Sequence, residues 1–236
     1  MRPIARIAAP VAVMLACIAG AAAAQRHETR AVSGFHAVAL SAPIDVELVQ
    51  GDTESLVLEG DDAAISDIET YVEDGTLKIH KKSHFDWPNR TKVLAHVTAK
   101  NIDGLATKGS GDIKAAALKC PGLKVSIAGS GDVRIDALAA TQLEVSIAGS
   151  GDMMVGGKVD EVHTSIAGSG DMKAGKLETR VAKISIAGSG DAMLWARETI
   201  SVNIVGSGDV RYYGDPRVST SVLGSGSVKR IGASPS

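Results

Sequence analysis

The chain has 236 residues, a formal charge of −2, and 25 Lys and Arg against 27 Asp and Glu. That balance leaves no basic footprint for nucleic acid. Apolar residues make up 44% but aromatic residues only 3%, so a core, in one or two domains, must be built from Val, Ile, Leu, Ala and Met.

Residues 1–24 form a separate object. Arg2 and Arg6 are followed by an apolar stretch from Ile7 to Ala24, and Ala22-Ala23-Ala24 stands just before the polar run Gln25-Arg26-His27-Glu28. A basic start, an apolar middle and a small-x-small site are the marks of a secretory signal peptide. The expectation is an exported protein: periplasmic, at the outer-membrane surface, or secreted. Two readings compete. Pro10, Gly20 and the alanine run count against a transmembrane anchor. Leu15-Ala16-Cys17 is similar in part to a lipoprotein cleavage box, with Met14 where Leu is usual, so anchoring through Cys17 is the second alternative. Cleavage before Gln25 takes the formal charge to −4 and leaves Cys120 as the lone cysteine, which excludes an internal disulfide. Cys120, ahead of Pro121, reads as a small buried hydrophobe.

Residues 25–34 read as a short linker. From residue 35 to 104 the words "FHAVAL", "IDVELVQ", "SLVLEG", "TLKIHKK" and "VLAHVTA" alternate like strands. Asp74-Gly75 signals a hairpin turn between "ETYVE" and "TLKI", and Asp62 to Ile68 suits a single helical turn. This irregular part is expected to cap the rest and blunt its exposed edge. His80, His84 and His96 read as scattered surface histidines rather than a metal site. The loop "SHFDWPNRT" carries Phe85 and Trp87, which serve either as a cap over the core or as a contact for a sugar or partner.

From residue 105 to 231 the chain repeats. "SIAGSGD" is spelled four times, beginning at Ser126, Ser146, Ser165 and Ser185. Gly-Ser-Gly begins at residues 109, 129, 149, 168, 188, 206 and 224, in steps of 20, 20, 19, 20, 18 and 18. Two residues before each first Gly stand Thr107, Ile127, Ile147, Ile166, Ile186, Ile204 and Val222. Two earlier stand Leu105, Val125, Val145, Thr164, Ile184, Val202 and Thr220. Spacing by two puts both columns on one strand face. Each repeat therefore holds a strand, a glycine turn and a second strand starting at the Asp. Stacking equivalent strands gives an all-β fold, a right-handed parallel β-helix or β-solenoid with coils of 18–20 residues. A β-propeller needs about twice this period.

The opening "FHAVALSAPIDVELVQGD", then "VEDGTLKI", the successive "GSGD" words, "VRYYGDPRV" and a last "GSGSV" together resemble the bacterial head GIN domain family, described as an autotransporter-adhesin head domain. The resemblance runs over residues 35–231 and leaves 232–236 as a C-terminal tail. It implies an exported β-helical domain of the cell envelope, and it brings no catalytic residues with it.

The sharpest chemical feature is the column Asp112, Asp132, Asp152, Asp171, Asp191 and Asp209, which ends in Ser227. Two residues after each Asp stand Lys114, Arg134, Met154, Lys173, Met193 and Arg211. Carboxylates at strand spacing repel by about 1 kcal/mol per neighbour in water, and the adjacent cations offset that. The column is expected to be structural. Calcium is the alternative, but it wants six to eight oxygens, the period is about twice that of the calcium-binding nonapeptide repeat, and cations stand among the carboxylates. A carbohydrate-active enzyme is the rival from another class, and it requires a break in the ladder that gathers an acid–base cluster. "GSGD" is not the nucleophile elbow Gly-x-Ser-x-Gly. The outward Ser126, Ser146, Ser165 and Ser185, with Ala128, Ala148, Ala167 and Ala187 beside them, form a flat strip that a backbone or a sugar ring could approach. The reading is an exported, non-catalytic β-solenoid without a cofactor or a transmembrane span in its mature chain. It serves adhesion, ligand binding or assembly with a glycan, an envelope protein or further copies of itself; a purely structural scaffold is the alternative.

Overall fold

The structure, a computed structural model, describes residues 26–82 and 92–235. The stretch read as a signal peptide, with Cys17, and the loop with His84, Phe85 and Trp87 lie outside the described residues.

The first part of the chain supplies β1 (Arg26–Arg30), β2 (Ala37–Ser41), β3 (Asp45–Gln50), β4 (Ser55–Gly60), the short helix α1 (Asp62–Asp67), β5 (Ile68–Glu73), β6 (Thr76–Lys81), β7 (Val93–Ala99) and β8 (Gly104–Gly109). Asp74 and Gly75 both have positive φ, 50° and 70°, and close a two-residue turn between antiparallel β5 and β6. The helical turn falls where the sequence places it. The stretch read as a linker, residues 25–34, instead contains β1, which pairs antiparallel with β4.

The repeats supply β9 (Ile113–Gly129), β10 (Val133–Gly149), β11 (Met153–Gly168), β12 (Met172–Gly188), β13 (Ala192–Gly206), β14 (Val210–Tyr213), β15 (Arg217–Gly224) and β16 (Val228–Gly232). β9 to β13 pair in parallel, each with the next. Copies of the repeated word sit in register: Ile127 beside Ile147, Ile147 beside Ile166, Ile166 beside Ile186. Each long strand bends. In β10, Val133 and Ile135 point inward, Asp136 and Ala137 both point out, Leu138 turns in, Thr141 and Gln142 point out, and Leu143, Val145 and Ile147 turn in again. Two outward pairs and the Gly-Ser-Gly corner thus cut a coil into three sides. The result is a parallel β-solenoid of about 6 turns, whose core is a stack of Val, Ile, Leu, Met and Ala columns. Each buried Val, Leu or Ile contributes about 1.5–3 kcal/mol of apolar burial, and it does so only while a coil lies above and below.

The glycine corner has a steric cause. Gly129 has φ +125°, and a Cβ there would lie 2.5 Å from the Gly109 carbonyl oxygen; a Cβ on Gly131 would lie 2.2 Å from the Gly111 oxygen. The approach is this close because the N–H groups of Ser130 and Gly131 both donate to the Gly109 carbonyl, at 2.8 and 2.9 Å. No side chain fits between coils at these points.

At the N-terminal end the stacking order departs from chain order. β2 and β3 lie between β6 and β7 on one side and β8 and β9 on the other. The second coil formed in sequence is therefore the outer one in space. Beyond it the parallel run stops: β5 pairs antiparallel with β6, β4 with β7, and β1 with β4. Arg26, Glu28 and Arg30 stand opposite Gly60, Leu58 and Leu56, the last two fully buried, so this face of β1 is turned toward the core. Glu28 pairs with Arg30 at 2.6 Å and Arg26 at 3.5 Å, and Arg26 reaches Asp62 of α1. Buried Ala64 and Ile65 of α1 close the remaining gap. An ion-paired lid over a leucine floor finishes this end.

Candidate functional site

Two surface columns are built by the repeat. The first is the aspartate column. Asp132 donates its backbone N–H to Asp112 Oδ1 at 3.0 Å, and the same bond recurs from Asp152 to Asp132, Asp171 to Asp152, Asp191 to Asp171 and Asp209 to Asp191, all within 2.8–3.0 Å. Each carboxylate thus accepts a charge-assisted hydrogen bond from the coil above. At the last corner Ser227 donates both its N–H and its hydroxyl to Asp209, and among the described residues no coil lies above it. Among the described residues, the N–H that each Asp receives from the next coil has no counterpart at Ser227.

Cations offset the remaining charge unevenly. Lys173 Nζ lies 2.5 Å from Asp152 Oδ2 and 3.8 Å from Asp171. Arg211 lies 3.5 Å from Asp191, and Lys114 lies 3.8 Å from both Asp45 and Asp112. Arg134 turns away from the column to Asp136, at 2.7 Å. The hydrogen bond to Asp152 holds the Lys173 ammonium above the usual lysine range. These groups are half exposed, so each pair contributes about 0.2–1 kcal/mol. The column runs unbroken through its corners, and among the described residues no coil gathers an acid–base cluster along it. Among the described residues, no group of three or more His, Cys, Asp or Glu side chains is arranged to hold a metal ion.

The second column is the serine strip. Ser126, Ser146, Ser165 and Ser185 lie side by side across the parallel strands and continue into Asn203 and Ser221. Ser146, Ser165 and Ser185 are exposed and Ser126 is half-buried; Ala148, Ala167 and Ala187 are exposed beside them. On the other flank run Lys124, Glu144, His163 and Lys183, with Lys124 paired to Glu144 at 3.1 Å. Small residues next to this taller row leave a shallow hollow of about 390 Å³, lined by Glu144, Ser146, His163, Ser165, Lys183 and Ser185. His163 Nε2 is buried there without a hydrogen-bond partner among the described residues.

The other described residues singled out by sequence do not converge. His80 pairs with Glu69 at 2.9 Å, while His96 lies between Glu47 and Glu59 at 3.3 and 3.2 Å. Each histidine meets glutamate rather than another histidine. Cys120 is half-buried against the core, and burial pushes its thiol above the usual range, the reverse of an activated nucleophile. Sequence reasoning missed the N-terminal lid, whose signal was the alternation of charges in "RHETR".

Known proteins fit this architecture. A crystal structure of a putative adhesin from Bacteroides fragilis superposes with a TM-score of 0.85 at 26% identity, covering 88% of this chain and 97% of that one. A putative lipid binding protein from Parabacteroides distasonis gives 0.71 at 29% identity, over 88% and 96%. A putative adhesin from the same organism gives 0.70 at 21% identity, over 89% and 98%, and shares the fold. No curated protein matches the sequence. The model of one family, described as "Putative auto-transporter adhesin, head GIN domain", matches residues 34–216. The chain belongs to the head GIN domain family.

Proposed function

We propose that this protein is an exported, non-catalytic binding module of the cell envelope, and that the serine strip is the face it presents to its ligand. The observation that supports this reading most directly is the strip itself: small side chains repeated in register over successive coils, exposed, beside a row that offers Lys, Glu and His. A strand face selected only for solubility accepts long charged residues. A face that must meet a flat extended object excludes them. The repeat distance of about 4.8 Å suits a ligand with its own repeat, and a glycan chain is the class we favour. The names of the relatives support adhesion, and one of them names lipid.

The experiment is a glycan array with the full chain, run beside a binding assay on vesicles, for wild type, Ala148→Arg and Ser165→Glu. Both positions are exposed, so both variants are expected to fold with unchanged circular dichroism. Glycan binding lost in both variants supports the strip. Glycan binding retained in both sinks it. Binding to vesicles alone moves the ligand class to lipid.

A further inference from the structure

The two ends of the solenoid are finished differently. At the N-terminal end β1 and β5 close the stack with antiparallel pairing, and charged Arg26, Glu28 and Arg30 stand over the leucine floor. Inward charges on an edge strand are a device against edge-to-edge association. The C-terminal end has no counterpart among the described residues. β15 pairs with β13 on one side only, and β16 with β14 on one side only. Val218, Thr220 and Val222 stand beside Ile200, Val202 and Ile204 of β13, all buried. They therefore face the core, yet Val218 and Val222 are each 41% exposed because nothing lies above them.

Exposed apolar bulk gathers here. Of the seven large hydrophobic residues exposed among those described, Val205, Val218, Val222, Leu223 and Ile231 belong to the last coils. The column that reads Ala128, Ala148, Ala167 and Ala187 becomes Val205 and then Leu223, which is 72% exposed. The column beside the serines stays small along its length and turns bulky only at this end.

We infer that the C-terminal end is a homodimer interface, in which β15 of one copy pairs antiparallel with β15 of a second copy about a two-fold axis. Three observations select this occupant. First, the corner ladder stops: Ser227 donates its N–H and hydroxyl downward to Asp209, where a further coil of the same sense calls for an acceptor carboxylate. A further parallel coil would find only the neutral Ser227 hydroxyl where every other corner offers a carboxylate. Second, β1 and β16 end the same side of the stack, so head-to-tail stacking sets β16 against the ion-paired Arg26, Glu28 and Arg30 and desolvates those charges. Tail-to-tail stacking sets apolar on apolar. Third, β15 is self-complementary. With Thr220 opposite its own mate, Val218 meets Val222 on the core side, Ser219 meets Ser221 on the outer side, and Arg217 meets Leu223, so no like charges oppose one another. An isologous contact of this kind closes at two copies. It places the two serine strips on one face, offset by two residues, and extends the reach of the proposed binding face without being needed for that reading.

Sedimentation velocity of the full chain across a concentration series is expected to show a monomer–dimer equilibrium. Leu223→Glu, on an exposed side chain that leaves folding intact by circular dichroism, is expected to weaken dimerisation at least about tenfold, and Val222→Lys likewise. In a background with Cys17 and Cys120 changed to Ser, Thr220→Cys chains are expected to join through a short bis-maleimide. A wild-type chain that stays monomeric at high micromolar concentration overturns the inference. So does a dimer indifferent to both substitutions, and so does cross-linking of Thr220→Cys chains to Thr70→Cys chains on β5, which reports head-to-tail stacking. Ligand binding by the serine strip is read separately, since Ala148→Arg and Ser165→Glu leave β15 untouched.

Discussion

At the scale of single residues, the repeated word separates into positions with distinct physical duties. The glycines are set by distance. A methyl group at Gly151 would stand 2.2 Å from the Gly131 oxygen, with the Ile127 side chain at 2.8 Å. Neither the backbone of one corner nor the coil below it can yield. Gly151→Ala is therefore expected to cost several kcal/mol, beyond the roughly 1 kcal/mol typical of a substitution, whereas Ser150→Ala, at an exposed corner, is expected to be nearly neutral. Urea denaturation of the two variants separates them, and equal midpoints would show that the corner relaxes. The aspartates are set by hydrogen bonding. Asp152→Ala leaves the Asp171 N–H without its acceptor, for an expected loss of about 1–3 kcal/mol, while Asp152→Asn keeps an acceptor and is expected to recover most of it. Each carboxylate commits one oxygen to the backbone, and chelator is expected to leave the melting temperature unchanged. A large drop on adding chelator would instead mark a bound ion, which stabilises by mass action.

Elements differ in how far they could be read from the sequence, and the difference has a physical origin. The coils were legible because identical words impose their own register: a strand that repeats Val-x-Ile-x-Gly pairs with its copy or with nothing. The hairpin at Asp74-Gly75 and the turn of α1 were legible because local geometry decides them. The outer strands were not. "RHETR" alternates weakly and carries no repeat, so its partner β4 is chosen by tertiary contact alone. The inverted stacking of β2–β3 beneath β6–β7 likewise leaves no mark in any single segment. Of the candidate surfaces, the serine and aspartate columns could be placed beforehand, whereas the donor role of Ser227 at the end of the column needed the ladder of N–H bonds. The lid over Leu56 and Leu58 can be tested as an element. Replacing Glu28 and Arg30 with Val removes two of the three inward charges, those over Leu58 and Leu56, from an edge strand. The expected outcome is a folded chain whose N-terminal end becomes adhesive, with higher-order species appearing in light scattering as concentration rises. If the double variant scatters no more than wild type, the lid is not what protects that edge.

For the whole molecule, stability is distributed along one axis. Each coil touches its two neighbours, and a sum of coil and nearest-neighbour interface contributions describes such a stack. The N-terminal lid then acts as a stop, the core columns as the repeating part, and the C-terminal coil as an open layer. This arrangement predicts an asymmetry between two kinds of deletion. Removing residues 132–151 takes out one coil from corner to corner and joins Gly131 to Asp152. β9 then meets β11, Ile127 falls beside Ile166, and the aspartate ladder closes again between Asp112 and Asp152. The shortened chain is expected to fold, with a smaller denaturant slope because less surface is exposed on unfolding, and with the serine strip shortened by one place. Removing only residues 132–141 deletes fewer residues but carries the Gly-Ser-Gly corner out of line with its neighbours. It sets Gly149 and Gly151 against strand backbone and turns inward columns toward solvent. That chain is expected to lose cooperative unfolding or to be insoluble. Circular dichroism and urea titration of the two deletions compare them directly. A stable half-coil deletion alongside an unfolded whole-coil deletion would mean that stability rests on particular contacts rather than on the register of the stack.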